Sequence, residues 1–152
     1  MDTEKKGSMD TESCAGLVRQ AFDAREKAYA PYSGFKVGAA LLARSGVVYT
    51  GCNIENAAFS PTNCAERTAF FKALSEGERH FTAIAIVGGP QDAAKDTFSF
   101  VFPCGVCRQV MAEFCGGDFV IVTARNPQDY QLHWLGDILP EAFGPGDLRG
   151  KP

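Results

Sequence analysis

The stretch NCAERTAFFKALSEGERHFTAIAIV, residues 63–87, decides the fold class because it joins a helix to a buried strand. Residues 63–76 predict a helix, and Gly77 is typical of the position just after a helix end. The nearly unbroken apolar run at residues 81–87 is typical of a strand that is covered on both faces of its sheet. A helix followed by such a strand indicates a sheet with helices packed against it.

Further helices and strands are predicted on both sides of this unit. Apolar residues at helical spacing indicate a helix over residues 13–29 with Ser13 as its N-cap, and Pro103 opens another helix over residues 103–114. A short helical turn precedes Pro140. The predicted strands comprise a hairpin of residues 35–44 and 47–53, then residues 119–123 and residues 130–133. This order predicts an α/β fold with three layers, α-β-α, around a central mixed five-stranded sheet.

The chain of 152 residues fits one domain, predicted to span residues 14–152, after a flexible polar tail at residues 1–13. The net charge of −3 argues against a nucleic-acid partner, because phosphate binding needs clustered cations. Since no apolar run approaches the roughly 20 residues of a membrane span, we expect no membrane association and a cytoplasmic location. In that compartment the six cysteines favour thiols or metal ligands over disulfides.

Two short motifs contain the groups that indicate chemistry: CAER at residues 64–67 and PCGVC at residues 103–107. Each motif lies at the start of a predicted helix. Consecutive crossover helices on one face of a parallel sheet begin at the same sheet edge, so the two motifs are expected to meet. The unsatisfied N–H groups at helix N-termini also stabilise thiolates. The predicted metal ligands are Cys64, Cys104 and Cys107.

Three thiolates would leave zinc one open coordination position, which is typical of a catalytic site. A water molecule in that position becomes an available nucleophile near neutral pH. Glu66 is predicted to act beside the metal as a proton shuttle. Zinc, three thiolates and this carboxylate would together have a charge of about −2, which two helix N-termini and Arg67 bring close to zero. Arg67 is therefore predicted to tune the metal by donating to the sulfur atoms.

Each motif also has a simpler interpretation when it is taken alone. Asn63 and Glu66 fit a capping box, and Cys104 with Cys107 fits a dithiol redox pair. A structural zinc site that includes Cys52 would lack the usual ligand spacing. A zinc-binding interaction module without catalysis is a further alternative, which Glu66 and the open metal position argue against. The two motifs in this order favour a catalytic zinc site.

The pattern CAE followed by PCxxC resembles the signature of the cytidine deaminases, zinc enzymes in which the glutamate is not a ligand. The similarity extends over about residues 15–148 and is to the small branch that acts on free nucleosides. The matching segments are PYSGF at 31–35, VGAAL at 37–41, GCNIENA at 51–57, CAERTA at 64–69 and CRQ at 107–109.

This resemblance implies a cytidine deaminase-like fold and an activity. The implied reaction is hydrolytic deamination of cytidine and 2′-deoxycytidine to uridine and 2′-deoxyuridine with release of ammonia, as in pyrimidine salvage. It also implies one zinc ion per subunit and a homotetramer whose pockets are completed by neighbouring subunits. Two other substrate classes remain open, another amino-heterocycle and cytosine within a polynucleotide.

The resemblance also implies the substrate-binding residues. Phe35 would pack against the pyrimidine, while Asn53 and Glu55 would bind the ribose, chiefly its 3′-hydroxyl. The Ala65 backbone would contact the edge of the base, and Phe143 would complete a neighbouring subunit's pocket. Two features depart from the family pattern. Phe59 stands where the family often has tyrosine and lacks its hydroxyl, and the loop at residues 89–97 is somewhat longer than usual.

Overall fold

A computed structural model describes residues 7–94 and 97–150. In chain order its elements are α1 (Thr11–Arg25), β1 (Phe35–Ala43), β2 (Val48–Cys52), α2 (Ala65–Ser75), β3 (Phe81–Pro90), α3 (Gly105–Phe114), β4 (Val120–Asn126), β5 (Asp129–Trp134), α4 (Leu135–Ile138) and α5 (Pro145–Arg149). No helix within the described ranges has both the length and the apolar character needed to cross a lipid bilayer.

The five strands form one mixed sheet in the order β2-β1-β3-β4-β5. Strands β3 and β4 are parallel and are joined through α3, whereas the other neighbouring strands are antiparallel. Helix α1 covers one face, where Val18 and Ala21 pack with Ala85 and Val122. Helices α2 and α3 cover the opposite face. The predicted three-layer α/β fold with a five-stranded mixed sheet is therefore confirmed.

Helix α1 begins two residues earlier than the sequence analysis predicts. Its N-cap is Asp10, whose carboxylate accepts hydrogen bonds from the backbone N–H of Ser13 at 2.8 Å and from the Ser13 hydroxyl at 3.0 Å. The prediction of Ser13 as N-cap is wrong because Asp10 accepts from this residue instead. Residues 11–13 thus belong to the helix rather than to the predicted tail. Residues 1–6 of that tail lie outside the described part of the chain.

Other boundaries also differ from the predictions. Helix α1 ends at Arg25 instead of at residue 29. Strand β3 continues to Pro90, beyond the predicted end at residue 87, because it stays paired with β1 up to the pair of Phe35 and Pro90. This extension includes Gly88 and Gly89, which lie beyond the predicted strand, in the predicted loop. Helix α5 lies in a segment for which no helix was predicted.

Helix α2 packs unusually closely on β2 at Gly51. A Cβ atom at this position would lie 2.4 Å from the Ala65 carbonyl oxygen and 2.5 Å from the Ala69 backbone nitrogen. Both contacts are with backbone, which cannot move aside as a flexible side chain can. The absence of a side chain at Gly51 therefore sets the distance between the sheet and the helix that follows Cys64.

We expect the Gly51→Ala variant to lower the free energy of unfolding by about 1–3 kcal/mol, as overpacking does in well-packed cores. Urea denaturation measures the change. Gly16→Ala is the matched control, because the added Cβ in α1 would meet nothing within 4 Å. That control should be neutral or gain up to about 1 kcal/mol, since alanine is the better helix former. Equal stability of Gly51→Ala and the wild type would contradict the close-packing argument.

Candidate active site

The sulfur atoms of Cys64, Cys104 and Cys107 form one cluster at the meeting point of α2 and α3. The Sγ atoms of Cys64 and Cys104 are 3.7 Å apart, and those of Cys104 and Cys107 are 3.5 Å apart. All three lie within 4.8 Å of one another. The predicted convergence of the two motifs is confirmed.

The spacing of these sulfur atoms fits a zinc ion. A zinc–sulfur distance of about 2.3 Å with tetrahedral angles places neighbouring sulfur atoms about 3.8 Å apart. The sulfur separations of 3.5 and 3.7 Å are close to that value. Three ligand atoms occupy three corners of a tetrahedron and leave the fourth to water or substrate, as in catalytic zinc sites. The chain can therefore hold a zinc ion with these three residues.

Two of these cysteines are the N-cap residues of their helices. Cys64 is the N-cap of α2 and makes no side-chain capping bond, so its sulfur is directed elsewhere. Cys104 is the N-cap of α3, and its sulfur accepts the Cys107 backbone N–H at 3.5 Å. Both sulfur atoms thus lie at the positive end of a helix dipole, which stabilises thiolates.

The capping-box interpretation of Asn63 and Glu66 is wrong. Cys64, not Asn63, is the N-cap of α2. The Asn63 side-chain amide instead donates to the Thr68 hydroxyl at 3.2 Å. The Glu66 carboxylate is therefore free of the capping role that an isolated N-x-x-E pattern would indicate.

Glu66 lies beside the sulfur cluster and is buried, with 4% of its surface exposed. Its Oε2 atom accepts a hydrogen bond from the Cys107 thiol at 3.2 Å. The carboxylate does not belong to the group of ligand atoms that lie within 4.8 Å of one another. Burial raises the pKa of this carboxyl group above its ordinary value. A buried carboxyl with a raised pKa is suited to holding and releasing a proton near neutral pH.

Arg67 contacts the cluster from the same helix. Its Nη2 atom donates to the Cys64 sulfur at 3.3 Å, and its buried Nε has no hydrogen-bond partner among the described residues. A hydrogen bond with Cys107 and a second hydrogen bond, from Arg67, lower the pKa of the Cys64 thiol to about 5. The hydrogen bond with Cys64, together with burial, raises the pKa of Cys107. The cation therefore favours negative charge on the sulfur that it contacts.

The Arg67→Gln variant should lose zinc at a higher pH than the wild type on acidification. Protons compete with zinc for the thiolates, so a thiol with a higher pKa releases the metal earlier. Removing the guanidinium raises the pKa of Cys64, which shifts the release midpoint upward. Zinc content measured across a pH series tests this, with Arg44→Gln, a substitution on the exposed β1–β2 turn, as the control. An unchanged midpoint would contradict the assigned contribution of Arg67.

The predicted sugar-binding residues lie on a segment that is hydrogen-bonded to the cysteine motif. Ile54, between Asn53 and Glu55, exchanges two backbone hydrogen bonds with Asn63, at 3.0 and 2.9 Å. Asn63 directly precedes Cys64. The segment with the amide and the carboxylate is therefore held in a defined position relative to the first sulfur.

Asn53 contacts the backbone of β1, and Glu55 contacts the backbone just before this strand. Asn53 Oδ1 accepts the Val37 backbone N–H at 2.8 Å, and its Nδ2 donates to the Phe35 carbonyl at 2.8 Å. The Glu55 carboxylate accepts the Tyr32 backbone N–H at 2.9 Å. The structure thus brings Phe35, Asn53 and Glu55 together in one hydrogen-bonded unit.

The remaining predicted site residues occupy different surroundings. Ala65 is fully buried in the first turn of α2, next to Glu66. Phe35 is 38% exposed at the start of β1, and its ring would lie 3.3 Å from a Cβ atom added at Gly88. Phe143 is 58% exposed, and its carbonyl accepts a hydrogen bond from the Gln109 side chain of α3 at 2.7 Å. Its ring is therefore available to a neighbouring molecule.

The other cysteines are separate from the cluster. Cys14, which belongs to α1, is fully buried in the core, while Cys52 and Cys115 are half-buried. Within the described ranges, the group of potential ligands that could hold a metal consists of the three clustered sulfur atoms and does not include Cys52. The structure therefore does not support the four-cysteine alternative.

Comparisons with known proteins agree with this site. Residues 11–123 match the family model described as the cytidine and deoxycytidylate deaminase zinc-binding region. A cytidine deaminase from Sporosarcina psychrophila is 51% identical over 140 residues, 92% of this chain and 96% of the relative. The crystal structure of cytidine deaminase from Burkholderia pseudomallei has 50% sequence identity and a TM-score of 0.74, covering 84% of this chain and 97% of that one.

A second solved structure, cytidine deaminase from Mycobacterium tuberculosis, has 37% sequence identity and a TM-score of 0.72. It covers 90% of this chain and 99% of its own. The family match includes both α2 and α3, and the sulfur cluster lies at the N-termini of these two helices. The chain belongs to the cytidine deaminase family of zinc-dependent deaminases.

Proposed function

We propose that the protein catalyses the hydrolytic deamination of cytidine and 2′-deoxycytidine to uridine and 2′-deoxyuridine, with release of ammonia. The observation that supports this most strongly is the buried Glu66 carboxylate, 3.2 Å from one sulfur of a three-cysteine cluster. Family membership and relatives named cytidine deaminase at about half sequence identity support the choice of substrate. The role in the cell is nucleoside salvage in the cytoplasm, by a single domain at residues 14–152.

Cys64, Cys104 and Cys107 hold the zinc ion in this proposal. Zinc, when bound with one position open, lowers the pKa of a water molecule and thereby supplies a nucleophile at neutral pH. The chain's own contribution is to place the Cys64 and Cys104 sulfur atoms at two helix N-termini and to favour negative charge on Cys64 through the Arg67 guanidinium.

Glu66 moves the protons of the reaction. Addition of water at C4 of the cytosine ring requires one proton to reach ring nitrogen N3, and Glu66 takes this proton from water and delivers it. Loss of the exocyclic amine as ammonia breaks the C4–N bond and requires a second proton. Glu66 takes this proton from the hydroxyl added at C4 and delivers it to the departing nitrogen, which leaves the C4 carbonyl of uridine. Water and cytidine are consumed, and uridine and ammonia are formed. Since burial raises its pKa, the carboxyl can be both base and acid near neutral pH.

The substrate is held by groups on β1 and on the segment that follows β2. Phe35 offers a partly exposed aromatic face for the pyrimidine. The Asn53 side-chain amide uses one N–H donor and one acceptor position in its hydrogen bonds to Phe35 and Val37. One donor and one acceptor position remain for a ribose hydroxyl. Glu55 accepts from the 3′-hydroxyl, and the Ala65 backbone contacts the base edge.

The enzyme is a homotetramer in this proposal, with Phe143 completing a neighbouring subunit's pocket. The exposed rings of Phe59, Phe71 and Phe143 support this, because large apolar side chains on a surface mark interaction sites. The net charge of −3 supports a free nucleoside over a polynucleotide as the substrate.

The test is turnover measured with zinc content on the same preparation. The ultraviolet spectra of cytidine and 2′-deoxycytidine should change to those of uridine and 2′-deoxyuridine, with one ammonia released per nucleoside. The protein should contain about one zinc ion per chain. A cytosine-containing single-stranded oligonucleotide and adenosine are the comparison substrates. Turnover of either comparison substrate above that of cytidine would overturn the proposal, as would zinc without deamination.

A further inference from the structure

The Ser33 hydroxyl connects two of the proposed substrate-binding residues. It accepts the Phe35 backbone N–H at 3.0 Å and donates to Glu55 Oε1 in a short hydrogen bond. The Ser33 backbone N–H also reaches the same carboxylate, at 3.2 Å to Oε2. One exposed serine thus links the start of the strand bearing the aromatic ring to the carboxylate 22 residues further along the chain.

The hydrogen bonds at Glu55 determine what the carboxylate can still bind. An ionised carboxylate has about four acceptor positions and no donor. Protein donors use three of them, namely the backbone N–H groups of Tyr32 and Ser33 and the Ser33 hydroxyl. About one position remains, and it can be filled only by a group that donates a hydrogen, such as a sugar hydroxyl.

The two backbone donors and the hydroxyl constrain the carboxylate differently. The Tyr32 and Ser33 N–H groups approach Oε2 at 2.9 and 3.2 Å, whereas the hydroxyl is the main partner of Oε1. Without the hydroxyl, Oε1 would retain only the long hydrogen bond from the Ser33 N–H at 3.3 Å, and the orientation of the carboxylate plane would be less constrained. The direction of the remaining acceptor position therefore depends on the serine side chain.

We propose that Ser33 is a positioning residue for sugar selectivity, which aims the free acceptor position of Glu55 at the 3′-hydroxyl of the bound nucleoside. This inference rests on the proposed function. Ser33 does not contact the reacting atoms, so Ser33 affects recognition of the sugar rather than the chemical step.

The test compares 2′-deoxycytidine with 2′,3′-dideoxycytidine, which differ by the 3′-hydroxyl alone. In Ser33→Ala, kcat/KM for 2′-deoxycytidine should fall about tenfold, mostly through KM, as for loss of a hydrogen bond to a charged group. For the dideoxynucleoside, which has no hydroxyl for Glu55 to accept, the change should stay within about twofold. The ratio of the two kcat/KM values should therefore fall, and Ser33→Thr, which keeps a hydroxyl, should restore it.

Ser45→Ala is the matched control, because Ser45 makes a comparable hydrogen bond to Glu78 at 3.1 Å in the β1–β2 region. It should leave both substrates unaffected. An equal loss on both substrates in Ser33→Ala would show a merely structural role and overturn the inference, as would a wild type that does not distinguish the two. Wild-type protein that deaminates neither cytidine nor 2′-deoxycytidine would instead refute the proposed function itself.

Discussion

Glu66→Gln should give a folded, zinc-loaded protein whose kcat for cytidine is lower by at least about 10³-fold, within the range for loss of a positioned general acid–base group. Glutamine keeps the volume of the side chain and can still accept the contact that Glu66 makes with Cys107. It cannot take up and release a proton at neutral pH. Since the carboxylate does not belong to the sulfur group, the metal ligands are unchanged.

Zinc content and steady-state turnover, measured on the same sample, test this expectation. Glu113→Gln is the matched control, since Glu113 lies exposed on α3, and it should keep full zinc and full activity. Retained turnover in Glu66→Gln would refute the proton-shuttle role. Loss of zinc together with turnover would instead identify Glu66 as a metal ligand.

The second large effect is expected in Cys104→Ala, which removes one of the three sulfur atoms. The two sulfur atoms left by this change are too few for the three-ligand arrangement typical of catalytic zinc sites. Zinc content should fall from about one ion per chain to near zero after dialysis against a chelator, and turnover should fall below detection. Because this change also removes the sulfur that caps α3, circular dichroism checks that the variant remains folded.

Cys52→Ala is the matched control for the loss of a thiol. Cys52 is half-buried at the end of β2 and lies outside the sulfur cluster. This variant should retain zinc and activity. Full zinc occupancy in Cys104→Ala, or a comparable zinc loss in Cys52→Ala, would contradict the assignment of ligands.

Most of the fold could be predicted from the sequence because its signals are local. Continuous apolar runs such as residues 81–87 and glycine at helix ends set the order of helices and strands without tertiary information. The predicted boundaries of helices and strands are wrong where a tertiary contact or a competing local contact determines the boundary. Asp10 replaced Ser13 as N-cap, and pairing with β1 extended β3 to Pro90.

The convergence of the cysteine motifs was predictable for a topological reason. Two consecutive crossover helices begin at one sheet edge, so the order of elements predicts that Cys64 and Cys104 meet, and their sulfur atoms are 3.7 Å apart. The hydrogen bonds of Ser33 and Asn53 were not predictable in this way. They join segments about 20 residues apart through side-chain orientation, which a sequence pattern does not contain.

The most direct test of the zinc site is X-ray absorption at the zinc edge of the purified, active protein. The account predicts three sulfur neighbours at about 2.3 Å and one oxygen neighbour at about 2.0 Å, as in a catalytic site with three thiolates. In Glu66→Gln the three sulfur neighbours should remain. A spectrum with four sulfur neighbours, or with imidazole nitrogen in place of a sulfur, would contradict the account.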